Sequence, residues 1–285
     1  MNVRRIGLVF LGVMLCFVTG AVPARAQQQA TPAWVASLMN QYNVIPNITY
    51  LTSNNYDDKL DVYVPRGDGQ HPTLLYMHGG GWVSGSKEDR ALYVFPFLEK
   101  GWTVVNVEYR MARVSLAPAA VQDCLCALRW VIQHAKDYKI DTTRIVAMGN
   151  SAGGHLALTT GMLPASAGLE RQCPGSEDLK VAAILDWYGI TDVNELLDGP
   201  NMRSYAVTWL GSQPDREQIA KRVSPLTYVR AGLPPIMIIQ GDADPVVPYT
   251  QSVRLNKALD DAGVPHEFVT ISGASTGGSV VRRWT

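Results

Sequence analysis

Residues 144–153 read Arg144-Ile145-Val146-Ala147-Met148-Gly149-Asn150-Ser151-Ala152-Gly153, and a helix-like run, His155–Thr160, follows at once. The first five residues have strand character, so Ser151 falls at the apex of a strand-to-helix turn. A turn that tight forces its apex residue into a strained backbone conformation. Glycines two residues to either side let neighbouring chain pass close by. Such a turn exposes a serine hydroxyl at the end of a strand, where it can act as a nucleophile. Ser151 is the candidate nucleophile, and the amide of Ala152 just after it is a candidate donor to developing negative charge.

Outward from this turn, strand-like apolar runs alternate with helical patterns. Strands are expected at Lys59–Val64, Thr73–Met77, Thr103–Glu108, Arg144–Met148, Val181–Trp187, Ile236–Gln240 and His266–Ile271. Between the third and fourth, Ala120–Tyr138 repeats Val121, Cys124, Leu125, Leu128, Ile132 and Ala135 at helical spacing. Leu255, Ala258, Leu259 and Ala262 repeat the pattern before Gly263, a good stop. This alternation predicts the α/β class: a mostly parallel central sheet with helices on both faces. Residues 191–230 read as an irregular, partly helical insertion, and residues 27–285 as one domain.

Two further motifs follow expected strands. His78-Gly79-Gly80-Gly81-Trp82 comes directly after Thr73–Met77. Consecutive glycines leave backbone N–H groups uncovered, which an acyl-transfer intermediate needs around its oxyanion. Gly80 and Gly81 are assigned to that hole together with Ala152, His78 to holding the loop, and Trp82 to packing beside the acyl pocket. Gly241-Asp242-Ala243-Asp244-Pro245-Val246-Val247-Pro248 follows Ile236–Gln240. A carboxylate there comes after the serine in the order a serine hydrolase of this architecture requires. Asp244 is the expected triad acid, and Asp242 is expected to hydrogen-bond the turn.

In that order and spacing, HGGGW, GNSAGGH and GDADPVVP resemble the secreted esterases of the BD-FAE-like group, close to hormone-sensitive-lipase-type enzymes. The resemblance runs from about Lys59 to Ile271 and includes Glu108-Tyr109-Arg110 and the segment from Pro118 to Asp123. It implies the α/β-hydrolase fold and hydrolysis of carboxylic esters, often acetyl or feruloyl groups on plant polysaccharides, so a small-molecule or saccharide ester is the expected partner. No cofactor and no metal are expected. Arylformamidases and peptidases of the same fold, and a non-catalytic protein that keeps the pocket, are the competing readings.

One residue departs from that pattern. A serine triad takes its general base from the loop after the last strand, yet none of the five histidines, His71, His78, His134, His155 and His266, lies there. Where the family pattern resembles Gly-Gly-Lys-His-Gly-Gly-Phe, this chain reads Gly273-Ala274-Ser275-Thr276-Gly277-Gly278-Ser279, with Thr276 in the histidine's place. A threonine hydroxyl is neither basic nor acidic enough to shuttle a proton near neutral pH. Loss of one base from codons for Gly-Ala-Lys-His-Gly-Gly-Phe yields Gly-Ala-Ser-Thr-Gly-Gly-Ser, so a frameshift and a true pseudoenzyme are both open here. With a frameshift the tail Val280–Thr285 would be read out of frame, and the family's last helix would be missing.

The remaining signals concern location and partners. Formal net charge is zero and the only arginine pairs are Arg4-Arg5 and Arg282-Arg283, so the clustered cations that phosphate binding needs are lacking and nucleic acid is not expected as a partner. Two arginines within residues 1–5, the apolar run Ile6–Val18 and Ala24-Arg25-Ala26 predict a cleaved signal peptide over residues 1–26. The run is short of the roughly 20 residues of a spanning helix, so no stable membrane anchor is expected. The implied location is secreted or periplasmic. Cys124 and Cys126 point to different faces of a helix; one of them pairing with Cys173, or no bridge at all, are both open.

Overall fold

The computed structural model describes residues 33–89 and 93–276; the expected signal peptide and the tail Val280–Thr285 lie outside them. An eight-stranded sheet organises the chain: β1 (Tyr42–Ser53), β2 (Tyr56–Pro65), β3 (His71–Met77), β4 (Thr103–Val107), β5 (Ile140–Asn150), β6 (Ala183–Trp187), β7 (Ile236–Gly241) and β8 (His266–Ile271). Their spatial order is β1-β2-β4-β3-β5-β6-β7-β8. The β1–β2 and β2–β4 pairs are antiparallel and every other neighbouring pair is parallel. Strands β3, β5, β7 and β8 therefore end on one edge, and the loops carrying the sequence motifs leave from it.

Strand side chains alternate between two cores, as the period of two requires. Leu75 and Met77 of β3, with Val105 and Val107 of β4, enter the larger core; Leu74, Tyr76 and Val104 enter the smaller one behind the sheet. The larger core receives α3 (Ala119–Gln133), α4 (Ala152–Met162) and α7 (Tyr249–Asp261). The smaller receives Leu38 of α1 (Ala33–Met39) and Leu98 of α2 (Phe95–Glu99). Between β6 and β7 lie α5 (Ser204–Leu210), α6 (Arg216–Val223) and two short 3-10 turns.

The structure amends several local expectations. β1 went unread: bulges between Ile45 and Ile48 and between Thr49 and Leu51 break its alternation. Asn54 and Asn55, both at positive φ, turn it into β2. The helix expected over Ala120–Tyr138 ends at Gln133, with His134 as its C-cap: the ring stacks on Trp130 and its Nδ1–H donates to the Trp130 carbonyl at 2.8 Å. Cys126 and Cys173 form a disulfide, which ties α3 to the segment before β6, and Cys124 stays free and buried. Among the described residues no helix is long and apolar enough to cross a membrane.

A buried ionic cluster anchors α3 to the antiparallel side of the sheet. The Arg110 backbone N–H and Nε donate to Asp123 at 2.9–3.0 Å, and Nη1 donates to Ser53 at 2.9 Å. Asp58, fully buried, has its Oδ2 3.5 Å from Arg110 Nε, and neither carboxylate oxygen accepts a hydrogen bond among the described residues. Burial, then the charge of Asp123, pushes the Asp58 pKa up to about 8. A carboxyl raised in the native state favours folding at low pH, and that contribution is lost as pH rises from the unfolded value near 3.8 toward about 8. Urea midpoints measured across that window should fall with pH, and Asp58→Asn should flatten the slope. A slope unchanged by the substitution would show that Asp58 is ionised in the native protein.

Candidate active site

Four loops converge on the sheet edge described above. The first is the turn from β5 into α4. Ser151 sits at φ 55°, ψ −121°, in the left-handed half of backbone space. Its N–H donates to the Trp187 carbonyl of β6 at 2.9 Å, and its carbonyl accepts from the His155 N–H at 3.0 Å. A Cβ on Gly153 would lie 2.1 Å from the Met77 carbonyl oxygen, and one on Gly149 would lie 2.2 Å from the Gly153 carbonyl oxygen. Both positions must be glycine for α4 to start against the end of β3.

The second loop follows β3. Gly80, Gly81 and Trp82 all have positive φ, and a Cβ on Gly80 would overlap the Ser84 carbonyl at 1.8 Å. His78 is buried; its Nδ1–H donates to the Gly79 carbonyl at 2.7 Å, its ring stacks on Tyr109, and the Tyr109 hydroxyl donates to the His78 carbonyl at 2.9 Å. Asn150 joins this loop to the elbow. Its Oδ1 accepts from Tyr76 at 2.8 Å, and its Nδ2 lies where a Cβ on Gly79 would sit, 2.7 Å away. Among the described residues, the amides of Gly80, Gly81 and Ala152 donate to no protein acceptor. Trp82 is fully buried, stacked on Trp209 at 4.1 Å and edge-on to His155 at 4.9 Å. It thus packs under the loop and does not present its ring to solvent.

The third and fourth loops follow β7 and β8 and lie against each other. Asp244 Oδ1 accepts from the N–H groups of Val246 and Val247 at 2.8 and 3.0 Å and from the Thr276 hydroxyl. Its Oδ2 is buried and has no partner among the described residues. Asp242 does not bond its own turn: it accepts the Gly273 N–H at 2.6 Å, across from the fourth loop. The Ala243 N–H donates to the Ala274 carbonyl at 3.2 Å, and a Cβ on Gly241 would meet that same oxygen. These contacts carry residue 276 onto the acid. With β6 alone between β5 and β7, Ser151 and Asp244 leave strands about 10 Å apart, a gap for one bridging side chain.

No histidine fills that gap. His155 is fully buried, donates from Nε2 to the Val223 carbonyl at 2.7 Å, and burial lowers its pKa to about 4, so it is neutral. His266 and His71 begin β8 and β3, at the opposite edge, and His134 caps α3. No local pattern marks Asp186 of β6, which accepts the Gly189 N–H at 2.8 Å behind the elbow and which burial pushes up to about 7. Nor does one mark Arg203 and Tyr205, which both donate to the Val246 carbonyl more than forty residues along the chain.

The BD-FAE family model matches residues 60–259. The chain belongs to the BD-FAE family. It has the α/β-hydrolase fold, shared with solved structures of esterases. A truncated form of a carbohydrate esterase from gut microbiota superposes with a TM-score of 0.73 at 26% identity, covering 86% of this chain and 94% of that one. The propionate-bound Est2 esterase of Thermogutta terrifontis gives 0.68 at 30% identity, covering 84% and 86%. Among curated relatives, esterase LipQ of Mycobacterium tuberculosis is 31% identical over 201 residues, 67% of this chain and 46% of LipQ. The ethyl acetate hydrolase of Pseudomonas putida is 26% identical over 88% of this chain and 81% of its own length. The chain spans about half the length of the first curated relatives it matches.

The close approach at Gly153 makes a direct prediction. Gly153→Ala must push α4 away from β3, which should lower stability by about 1–3 kcal/mol, the usual cost of overpacking, measurable as a shift in the chemical denaturation midpoint. An unshifted midpoint would mean that the elbow is not held against the Met77 carbonyl.

Proposed function

We propose that this chain is built to cleave small carboxylic esters, such as acyl esters of carbohydrates, through an acyl-Ser151 intermediate. The observation that carries the proposal is a serine at positive φ on the strand-to-helix turn, at the same sheet edge from which the triglycine loop and the acid loop leave. Ser151 Oγ attacks the ester carbonyl while Gly80, Gly81 and Ala152 donate to the oxyanion. The C–O bond to the alcohol breaks, and the alcohol leaves carrying a proton delivered through water. A second water then hydrolyses the acyl-serine, freeing the acid and restoring the Ser151 hydroxyl. Asp244 serves as the acid that orients a base seated at position 276. The names of the similar proteins, esterases and an ethyl acetate hydrolase among them, support the ester class.

Thr276 limits what this chain does. Its hydroxyl donates to Asp244 as a triad base's ring N–H would, but it has no second basic atom to take the Ser151 proton. The nucleophile and its oxyanion donors remain, while proton transfer must go through water, so acylation and turnover are slow. That feature also favours a second reading, in which the pocket binds esters without turning them over. We place the protein in a secreted or periplasmic setting; the Cys126–Cys173 disulfide supports this, because such bonds persist in oxidising compartments.

Fluorophosphonate labelling and p-nitrophenyl acetate hydrolysis separate these readings. The chain should label slowly, and Ser151→Ala should abolish labelling. Thr276→His should raise hydrolysis by about a thousandfold or more, within the range a triad base contributes. Labelling that survives Ser151→Ala would overturn the nucleophile, and a folded Thr276→His variant without gain would favour the binding protein.

A further inference from the structure

We propose that Tyr205, in the insertion between β6 and β7, is the specificity-determining wall of the site and sets the size of group an ester can present between the oxyanion loop and the acid loop. The proposal rests on the ester-hydrolase reading above. Three observations place the residue. A Cβ on Gly81 would lie 2.7 Å from Tyr205 Cβ and 2.9 Å from its Cγ, so the base of the side chain is seated on the oxyanion glycine. The ring tilts over Trp82, with centroids 5.9 Å apart. At its far end the hydroxyl donates to the Val246 carbonyl at 3.2 Å, two residues past Asp244. One rigid side chain thus reaches from the loop that would receive the oxyanion to the loop that holds the acid.

The neighbouring contacts fix it there. Arg203, at the start of α5, donates from Nε to the same Val246 carbonyl at 2.9 Å. The N–H of Val246 in turn donates to Asp244 at 2.8 Å. The peptide groups around Val246 therefore hold the acid on one side and are held by the insertion on the other. Beneath Tyr205, Trp82 and Trp209 are stacked and fully buried, so the ring has no room to drop inward. Tyr205 is only partly buried, between the oxyanion loop at Gly81 and the acid loop at Val246. A planar side chain with two stiff torsions, anchored at both ends, excludes by shape, and a few contact atoms in such a wall discriminate by roughly 10- to 200-fold.

The test uses the intact chain and two fluorophosphonates that differ only in a methyl or a bulky branched alkyl group on phosphorus. In each, Ser151 Oγ forms the P–O bond, fluoride leaves and the serine proton passes to water, so intact mass reports the rate. The chain should prefer the methyl probe, and Tyr205→Ala should raise the bulky-to-methyl rate ratio tenfold or more. Tyr205→Phe, which keeps the ring, should retain the original ratio. A merely structural role would slow both probes alike in Tyr205→Ala and leave the ratio unmoved, which would overturn the proposal. If neither probe labels the unsubstituted chain, the ester-hydrolase reading falls first and this one with it; labelling with an unmoved ratio removes this one alone.

Discussion

The backbone of Ser151 at φ 55°, ψ −121° is the constraint on which the rest of the molecule turns. That conformation costs about 1–3 kcal/mol for a residue with a side chain, and it persists because the surroundings leave it no alternative. Its amide is committed to Trp187 of β6, its carbonyl to the first turn of α4, and α4 itself is drawn against the Met77 carbonyl through Gly153. Strand β3 supplies that carbonyl and then runs directly into the triglycine loop. The contact that holds the elbow therefore also sets how far the uncommitted amides of Gly80 and Gly81 stand from the serine.

The acid is secured by a separate set of contacts. Asp244 spends one oxygen on its own turn and on Thr276, and the other is buried with no partner among the described residues. A buried acceptor without a donor costs free energy, and such costs collect at sites whose polar groups await a partner. Here the loop after β8 is fastened through Asp242, Ala243 and Gly241, and Thr276 meets the carboxylate. In the reading proposed above, position 276 is the seat of the proton carrier, and a threonine there has no basic atom to carry one.

Much of this was legible in the sequence, and the parts that were share a cause. Gly149, Gly153, Gly80 and Gly81 are dictated by backbone crowding within a few residues, so their spacing discloses the turn. The order of strand, loop and acid likewise follows from chain direction. What escaped depends on distant partners or on depth. The Tyr205 and Arg203 contacts join residues 41 to 43 apart. The burial of Asp58 and Asp186 turns ordinary aspartates into proton-holding groups, which no local pattern reveals. β1 was hidden because its bulges destroy the alternation by which a strand is recognised. The choice of Cys126 over Cys124 for the bridge depends on which face of α3 meets the segment before β6.

Coupling between positions 244 and 276 tests the central claim most directly. Asp244→Asn keeps an oxygen for the Val246 and Val247 amides but removes the charge that would hold an imidazolium. Its effect on p-nitrophenyl acetate hydrolysis should be measured in the original chain and in the Thr276→His background. A far larger fractional loss in the histidine background is predicted, as for a carboxylate that acts through the base it orients. Equal fractional losses in the two backgrounds would mean that residue 276 does not sit on the acid in the working site, and the convergence of loops argued here would be contradicted.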